Sequence, residues 1–338
     1  MKLTEKVRQK VVYDILKGKY APGDKIPTER DMTVITGTSR ITVRRAYEQL
    51  ERSGVIERKP KLGTRIATSF KGNQQEIDEV GVIATLRSQY SRDFIESVHY
   101  TCMENDAMIN LALAETSAGQ LEAAVKLFTR GLRNLIIWGY DRNIDFDTFE
   151  RLRALGMNIV FFDRVIPGPF ADFVGLDNED AIIAMFDDVD EHGIKKFIYV
   201  DIVGQMDSNR ERLDCFEQQC LKRGSLHDRI VVPFLPQDET EPVDIMRNYL
   251  AEHDCSADTA IICVNDAVAL SILDACPRNM PVYGIDGTSK ALQAGIISYR
   301  QPIREMAAAA VKALENQQKK GDKWKAKKIR FKGKLMRH

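Results

Sequence analysis

The sequence lacks the features that mark several large classes of protein. No run of 18 apolar residues occurs in its 338 positions, so we expect no membrane-spanning helix. The first ten residues, MKLTEKVRQK, are polar with no apolar block behind them, so we expect no signal peptide and a cytoplasmic protein. The six cysteines include no Cys-x-x-Cys pair and no Cys/His set at zinc spacing, which predicts reduced thiols and no bound metal.

Motifs of catalysis and of nucleotide binding are also missing. The chain contains no Gly-x-x-x-x-Gly-Lys-Ser/Thr, no Gly-x-Gly-x-x-Gly, no Gly-x-Ser-x-Gly and no His-Glu-x-x-His. Its five histidines stand in helix, loop or tail contexts without an evident partner. We therefore expect a protein that is not an enzyme and that needs no cofactor.

Charge is distributed unevenly along a chain whose net charge is zero. Residues 1–68 carry 16 Lys and Arg against 8 Asp and Glu, residues 69–318 carry 23 against 40, and residues 319–338 carry 10 against 1. A small basic segment joined to an acidic body indicates that the amino-terminal part meets a polyanion.

The segment RITVRRAYEQLER, residues 40–52, predicts a helix with an unusual start. Val43, Ala46, Tyr47 and Leu50 recur at helical spacing and form its apolar stripe. Three arginines stand in its first two turns, where the helix dipole disfavours positive charge unless an anion is bound there. The anion that such a helix start meets in DNA-binding proteins is DNA.

A shorter helix is predicted just before this one. Thr28 is its capping residue, Asp31 occupies the capping-box position, and Gly37 ends it before Ser39 caps the basic helix. Two helices joined by a tight turn, the second one basic at its start, are typical of a helix-turn-helix, whose second helix enters the major groove.

The run GVIERKPKLGTRI, which follows the basic helix, predicts a β-hairpin with strands at 55–58 and 64–67. Its basic residues would reach phosphates or the minor groove of DNA; they are Lys59, Lys61 and Arg65. Helix-turn-helix and hairpin together predict a winged helix-turn-helix.

The segments ILKGKYAPGDKIPTERDM, TSRITVRRAYEQLERSGVIE and LGTRI resemble the DNA-binding head of the GntR family of bacterial transcription regulators. The resemblance implies DNA contacts at Arg30, Ser39, Arg40, Thr42, Arg44 and Gly63. The wing of that family usually reads Gly-x-Gly-Thr, and here it reads Lys61-Leu62-Gly63-Thr64. We expect Lys61 to replace the close backbone approach of the first glycine with a charge contact.

Beyond a polar segment, 71–79, that we predict as a linker, the pattern changes. Eight short apolar runs bounded by turn residues alternate with amphipathic helical stretches. This alternation predicts an α/β domain over 80–338 with parallel sheets in two lobes, joined to a winged helix-turn-helix domain over 1–70.

Ligands of such sheets bind beyond the carboxyl ends of the strands. The residues there mix carboxylates, amides, arginines and aromatic rings, a combination that holds neutral polyols. They are Gln89, Tyr90, Tyr140, Asp141, Asp163, Arg164, Arg210, Glu211, Phe234, Asn265, Asp266 and Asp286.

The pieces VGVIATLRSQYSRDFIESV, NIVFFDR, VGLDNEDA, SNRERLDCF, TAIICVNDAVALSIL, VYGIDG and YRQPIREMAAAA resemble the effector domain of the LacI/GalR family, which shares its fold with periplasmic sugar-binding proteins. The resemblance implies effector contacts at Asp163, Arg210, Asn265 and Asp286. Where the family usually has Asn-Pro-Phe, this chain has Ser88-Gln89-Tyr90, which makes Tyr90 the candidate for stacking on the sugar ring.

The family resemblance also implies that the chain crosses between its lobes three times. We expect the first lobe at 80–163 plus 288–318 and the second at 165–285 plus a strand near 327–336. The basic tail, 319–338, then has two interpretations. It is either a further nucleic-acid contact or, as we favour, an edge strand with charged positions facing outward.

A GntR-type head on a LacI-type body resembles regulators of the arabinose-repressor type, a similarity of architecture that does not identify the ligand. We predict a repressor that binds operator DNA as a homodimer and is released by a monosaccharide or derivative. One alternative is the same architecture using its ligand as co-repressor. An enzyme that modifies a sugar while tethered to DNA lacks its motifs here, and the basic head disfavours a transport receptor.

Overall fold

The structure of the protein is a computed structural model that describes residues 3–67, 77–204, 206–233, 240–253, 255 and 258–337. The predicted linker, 71–79, lies mostly outside the described residues, and so does Phe234.

The amino-terminal head has three helices and a hairpin: α1 (Leu3–Leu16), α2 (Glu29–Thr36), α3 (Arg40–Arg52), β1 (Ile56–Lys59) and β2 (Gly63–Ile66). The predicted caps are confirmed. Thr28 and Asp31 form a complete capping box, Gly37 ends α2 with φ 64°, and the Ser39 hydroxyl accepts from the backbone N–H of Thr42. The apolar stripe of α3 is fully buried, as its spacing predicts.

The body continues as alternating strands and helices: β3 (Glu79–Ala84), α4 (Gln89–Glu104), β4 (Met108–Leu113), α5 (Ser117–Thr129), β5 (Asn134–Ile137), α6 (Phe146–Ala154), β6 (Asn158–Phe162), β7 (Asp172–Leu176), α7 (Asn178–Asp190), β8 (Lys196–Ile202), α8 (Asp207–Arg223), β9 (Leu226–Val232), α9 (Glu241–Glu252), β10 (Thr259–Cys263), α10 (Asp266–Ile272), β11 (Val282–Asp286), α11 (Ser289–Gln293), β12 (Ile297–Arg300), α12 (Ile303–Lys320), β13 (Lys328–Phe331) and β14 (Lys334–Met336).

These strands form two six-stranded sheets, one in each lobe. The order in lobe 1 is β13-β7-β6-β5-β3-β4, and every pair is parallel. The order in lobe 2 is β14-β12-β11-β10-β8-β9, parallel except for the antiparallel pair of β12 and β14. The predicted fold class, a winged helix-turn-helix joined to a two-lobed α/β domain with parallel sheets, is confirmed.

The chain crosses between the lobes three times, but the predicted crossing points are wrong. Strand β7, assigned to the second lobe from the sequence, pairs with β6 in lobe 1, and β12, assigned to the first lobe, pairs with β11 in lobe 2. The apolar pattern of a short strand shows that it is buried but not which sheet it joins, because pairing depends on tertiary packing.

The basic tail forms two short strands rather than one. Strand β13 closes the edge of lobe 1, and β14 closes the edge of lobe 2. Along β13 the side chains alternate between exposed Lys328 and Arg330 and half-buried Ile329 and Phe331. This is the charged edge strand that the favoured interpretation predicts, divided between two sheets.

Three clusters of buried apolar side chains hold the molecule together. One fills lobe 2, and a second lies under α4 and α12 on one face of the lobe 1 sheet. The third covers the other face of that sheet and continues without interruption into the head. None of the helices in the described ranges is both long and apolar enough to span a bilayer.

Candidate functional site

The amino-terminal end of α3 presents two of the predicted DNA contacts to solvent. The side chains of Arg40 and Arg44 are 79% and 66% exposed. Arg40 Nε lies 3.6 Å from Glu29 Oε2, and Arg44 Nε lies 3.2 Å from Glu48 Oε1. Because solvated pairs of this kind are weak, both guanidinium groups remain available to a stronger anion.

The other predicted contacts on the two helices lie at the same end of the head. The hydroxyl groups of Ser39 and Thr42 form a hydrogen bond, with their oxygens 2.9 Å apart, and Ser39 also caps α3. Arg30 is exposed on α2. Ile41, which the sequence did not single out, is 67% exposed beside them, and an apolar side chain there suits the methyl group of thymine.

The hairpin tip shows why glycine is usual at its first position in the related wings. Lys61 has φ 65°, in the left-handed region that costs a non-glycine residue about 1–2 kcal/mol, and Gly63 has φ 81°. Both are exposed. Arg65, which we expected near phosphates, instead donates from Nη1 to the Gly23 carbonyl at 2.8 Å, so this side chain braces the hairpin against the head.

A second candidate site is the cleft between the lobes, which encloses about 230 Å³. It lies beyond the carboxyl ends of strands from both sheets, where the α/β pattern predicts a ligand. The polar and aromatic side chains that line it are Thr85, Arg87, Ser88, Tyr90, Trp138, Tyr140, Asp163, Arg164, Ser208, Asn209, Arg212, Asn265, Ser271 and Asp286.

Four of the five predicted effector contacts line this cleft: Tyr90, Asp163, Asn265 and Asp286. The fifth does not, so the predicted placement of Arg210 is wrong. Its side chain is 68% exposed on the outer face of α8, with Nε 3.7 Å from Asp214 Oδ2. A pair so exposed contributes little to stability, and it lies away from the ligand cavity.

Arg212 occupies the position that we assigned to Arg210. It is 3% exposed, donates from Nε to Asn178 Oδ1 at 2.8 Å, and donates from Nη1 to the Val264 carbonyl at 2.7 Å. Its Nη2 makes no hydrogen bond within the residues that the structure describes. The guanidinium is therefore held in a fixed orientation with one nitrogen left to donate to a ligand.

Two aspartates face this arginine in strained backbone conformations. Asp163 has φ 64° and Asp286 has φ 135°. Burial raises the pKa of Asp163, against the opposing effect of Arg212 and Arg164. Burial, followed by the neighbouring Asp266 carboxylate, holds the pKa of Asp286 well above its ordinary value. Strain and raised pKa at one place are typical of a binding site.

Several polar atoms at the cleft have no partner in the described part of the chain. Asn209 Nδ2 is buried without a hydrogen bond, which costs about 1–3 kcal/mol for such a group. Asp163 Oδ1 and Trp138 Nε1 are buried without a hydrogen bond of ordinary geometry, although the indole N–H is close enough to lower the pKa of Asp163. Asn265 uses its Oδ1 to cap α10, accepting from the Val268 N–H at 2.9 Å. A ligand rich in donors and acceptors would satisfy the buried atoms of Asp163, Asn209 and Trp138 that lack a partner.

Aromatic rings form the lobe 1 wall of the cleft. Trp138 meets Tyr90 edge to face, with ring centroids 5.4 Å apart, and the Arg164 guanidinium lies 4.6 Å above the Trp138 ring. The Tyr90 hydroxyl donates to Gln301 Oε1 at 2.8 Å, and Gln301 Nε2 donates to Asp286 Oδ1 at 2.9 Å. The hydrogen bond to Gln301 therefore fixes the Tyr90 ring in the wall of the cleft, and Trp138 and Arg164 form the surface next to it.

Asp207, at the start of α8, links the two lobes beside the cleft. Its carboxylate accepts from the Ile166 N–H at 2.8 Å and pairs with Arg142 Nε at 3.2 Å, both in lobe 1. Its own N–H donates to the Arg164 carbonyl at 2.9 Å. These three contacts join the two lobes beside the cavity.

Asp286→Asn is expected to raise the free energy of unfolding at neutral pH by about 0.5–2 kcal/mol. The amide keeps an acceptor for Gln301 and removes a charge that burial disfavours. In the wild type the folded state holds this proton more tightly than the unfolded state, so stability falls as pH rises from the ordinary Asp pKa to the raised one.

Denaturant unfolding of both proteins at about pH 5 and pH 8 measures this difference. The gain in the variant should shrink at the lower pH. A variant less stable than the wild type at the higher pH would show that the carboxylate of Asp286 stabilises the folded protein, with the attraction of Arg212 outweighing the repulsion of Asp266 and Asp163.

Comparison with known proteins finds two segments of the chain that match family descriptions. Residues 3–66 match the bacterial regulatory proteins of the gntR family, and residues 186–336 match the periplasmic binding protein-like domain. A solved structure of the transcriptional regulator CelR in complex with cellobiose has the same fold, with a TM-score of 0.65 and 16% identity over 90% of this chain and 93% of that one.

Two curated relatives are similar in sequence. The arabinose metabolism transcriptional repressor of Geobacillus stearothermophilus is 21% identical over 91% of this chain and 89% of that protein. The HTH-type transcriptional repressor YtrA of Bacillus subtilis is 33% identical over 30% of this chain and 73% of that protein. The chain therefore belongs to the gntR family of bacterial regulatory proteins, with its winged helix-turn-helix head joined to a periplasmic binding protein-like body.

Proposed function

We propose that this protein is a transcription repressor that binds operator DNA as a homodimer and leaves it when a neutral monosaccharide enters the cleft. The cleft carries the proposal, because it sets a fixed arginine, two aspartates and an asparagine around one small cavity beside aromatic rings. Carboxylates accept hydrogen bonds from hydroxyl groups, amides both accept and donate, and aromatic rings cover the apolar face of a sugar.

The size of the cavity favours a small ligand. Its volume of about 230 Å³ is below the range of about 300–1,000 Å³ that is usual for drug-sized ligands. The names of the relatives point to the same chemistry, since one controls arabinose metabolism and a structural neighbour holds cellobiose. The relatives are regulators, which supports binding rather than catalysis as the role of this cleft.

Gln120 links helix α5 by hydrogen bonds to the segment that lines the cleft after β5. This side chain on α5 is fully buried, donates from Nε2 to the Trp138 carbonyl at 2.8 Å, and accepts at Oε1 from the Tyr140 N–H at 2.9 Å. Trp138 and Tyr140 line the cleft, so a ligand that shifts them also shifts α5. Couplings of this kind are typically about 1–3 kcal/mol.

Exposed apolar side chains at one edge of each sheet support the homodimer. On β4, the edge strand of lobe 1, Met108 is 71% and Leu113 is 54% exposed. On β9, the edge strand of lobe 2, Leu226 is 68% and Val231 is 41% exposed. A second copy that covered both edges would bury these side chains and place two heads on a palindromic site.

Thermal unfolding of the full chain with a panel of L-arabinose, D-ribose, D-xylose, D-galactose, D-glucose and cellobiose tests the proposal. A sugar at 100 times its dissociation constant should add about 2.7 kcal/mol of stability, which raises Tm by several degrees. Anisotropy titrations should then show that the same sugar lowers affinity for a DNA site selected in vitro. A sugar that raised DNA affinity would indicate a co-repressor, and turnover of the sugar would indicate an enzyme.

A further inference from the structure

The head is packed against lobe 1, and this contact has features of a built interface. Helix α1 lies on α5 and α6, and the apolar side chains Val7, Val11 and Ile15 belong to the same buried cluster as Phe128 and Leu152. The core of the head and the core of lobe 1 are therefore continuous, which two domains joined only by a covalent linker would not require.

Two arginines of lobe 1 bind the carboxyl ends of two head helices. Arg151, on α6, donates to the Leu16 carbonyl at the last residue of α1. Arg133, just before β5, donates from Nη2 to the Ser53 carbonyl at the cap of α3, at 2.7 Å. The ends of helices leave carbonyls without intrahelical partners and carry negative partial charge, so a guanidinium is the favoured partner there.

The interface leaves the DNA-binding end of the head free. Helix α3 has 13 residues and is about 20 Å long, with Ser53 held by lobe 1 at one end and Arg40 exposed at the other. Docking therefore orients the recognition helix without covering it.

Beside the buried cluster, part of the contact between the head and lobe 1 is not filled by side chains. A groove of about 650 Å³ runs between α1 and the α5–α6 pair, lined by Tyr13 and Lys17 of the head and by Leu121, Val125 and Lys126 of lobe 1. The interior of a single domain is close-packed, whereas interfaces between domains of one chain resemble transient protein contacts.

We propose that this docked contact, held by Arg133 and Arg151, sets the positions of the two recognition helices in the dimer and so selects the spacing of the DNA half-sites. The proposal rests on the proposed function, because spacing has meaning only for a dimer on DNA. The head packs on α5, and Gln120 on the same helix bonds to the backbone of Trp138 and Tyr140, which line the cleft. One helix therefore separates the docked head from the cleft.

The test uses the full chain and the variant Arg151→Ala, because Arg151 is exposed and its removal should leave the fold of lobe 1 intact. Arg247→Ala, an exposed arginine on α9 paired with Asp244, is the matched control. In the absence of DNA, a lysine-reactive crosslinker read by mass spectrometry should join Lys17 to Lys126, which line the same groove. The yield of this link should fall several-fold in Arg151→Ala and stay unchanged in Arg247→Ala.

The second measurement is selection from a DNA library in which the separation of two half-sites varies over about one helical turn. The wild type and Arg247→Ala should enrich one spacing about tenfold over the others, and Arg151→Ala should enrich several spacings about equally. Absence of the Lys17–Lys126 link in the wild type would overturn docking itself, whatever DNA is bound. If Arg151→Ala loses the link but still selects a single spacing, docking does not set the half-site spacing. If the wild type selects no DNA, the proposed function is wrong, and the proposal about spacing falls with it.

Discussion

Replacing Arg212 with alanine is expected to remove most ligand binding, whereas replacing Arg210, two residues earlier, should leave it within about twofold of the wild type. Arg212 is buried at the cleft and oriented by Asn178 and Val264, so it is ready to donate to a sugar hydroxyl. Hydrogen bonds of a charged group contribute about 1.5–3 kcal/mol each, which is roughly 10-fold to 150-fold in dissociation constant.

The same substitution should also destabilise the protein. It leaves Asp163 and Asp286 without their main opposing charge, and it removes a donor from two buried acceptors. Removing one member of a buried charged set typically costs about 3–5 kcal/mol. Arg212→Lys provides a milder variant, because it keeps the positive charge and loses the planar arrangement of donors.

Calorimetric titration of the sugar that binds best in the panel measures all three variants. Arg212→Lys should fall between the wild type and Arg212→Ala, provided that circular dichroism shows each to be folded. The arginine would have no part in binding if folded Arg212→Lys and Arg210→Ala bound the sugar as tightly as the wild type does.

The helical period of α8 distinguishes these two arginines. Residues two apart on a helix point roughly 200° apart, so both cannot face the cleft. The buried residues of α8 recur at helical spacing as Asn209, Arg212, Phe216 and Gln219, and Arg210 falls outside this series. The periodicity therefore marks Arg212 as buried, and burial of an arginine is itself a sign of function.

Features of the fold that depend on nearby residues can be predicted from the sequence, whereas features that depend on distant residues cannot. The caps at Thr28 and Ser39 are predictable because their partners lie three residues away in the chain. The sheet that β7 or β12 joins cannot be predicted in this way, because the pairing partner of each strand depends on packing with strands and helices far along the sequence. The docked head belongs to the second group, since Arg133 and Arg151 contact carbonyls that lie 80 and 135 residues away.

The cleft residues are predictable from the sequence only in part. The rule that ligands bind beyond the carboxyl ends of parallel strands places Asp163, Asn265 and Asp286 together without any knowledge of pairing. Trp138 also directly follows β5, but it stands in the apolar run NLIIWG, so the sequence alone indicates a core residue there. In the structure it lines the cavity, with the Arg164 guanidinium against its ring.

The double substitution Arg40→Ala, Arg44→Ala is expected to weaken binding to the selected DNA site by about 2–6 kcal/mol, roughly 30-fold to 2 × 10⁴-fold, while leaving the head folded. Both side chains stand exposed at the start of α3, where the first turn contains no acidic residue. A direct contact between arginine and a base edge is worth about 1–3 kcal/mol.

Stability should move little, because two opposing effects nearly cancel. Removal of Arg40 relieves its unfavourable interaction with the helix dipole, about 0.3–1 kcal/mol, and loses a solvated pair with Glu29 of similar size. Arg52→Ala is the matched control, since this arginine lies in the last turn of the same helix, where positive charge is favoured and the base edges are far away. Anisotropy titrations with the selected site and with a scrambled site should show a large loss of preference for the double variant and almost none for Arg52→Ala. Equal losses for the two proteins on both DNAs would mean that α3 contributes only general positive charge, and that the sequence of the operator is read by another part of the head.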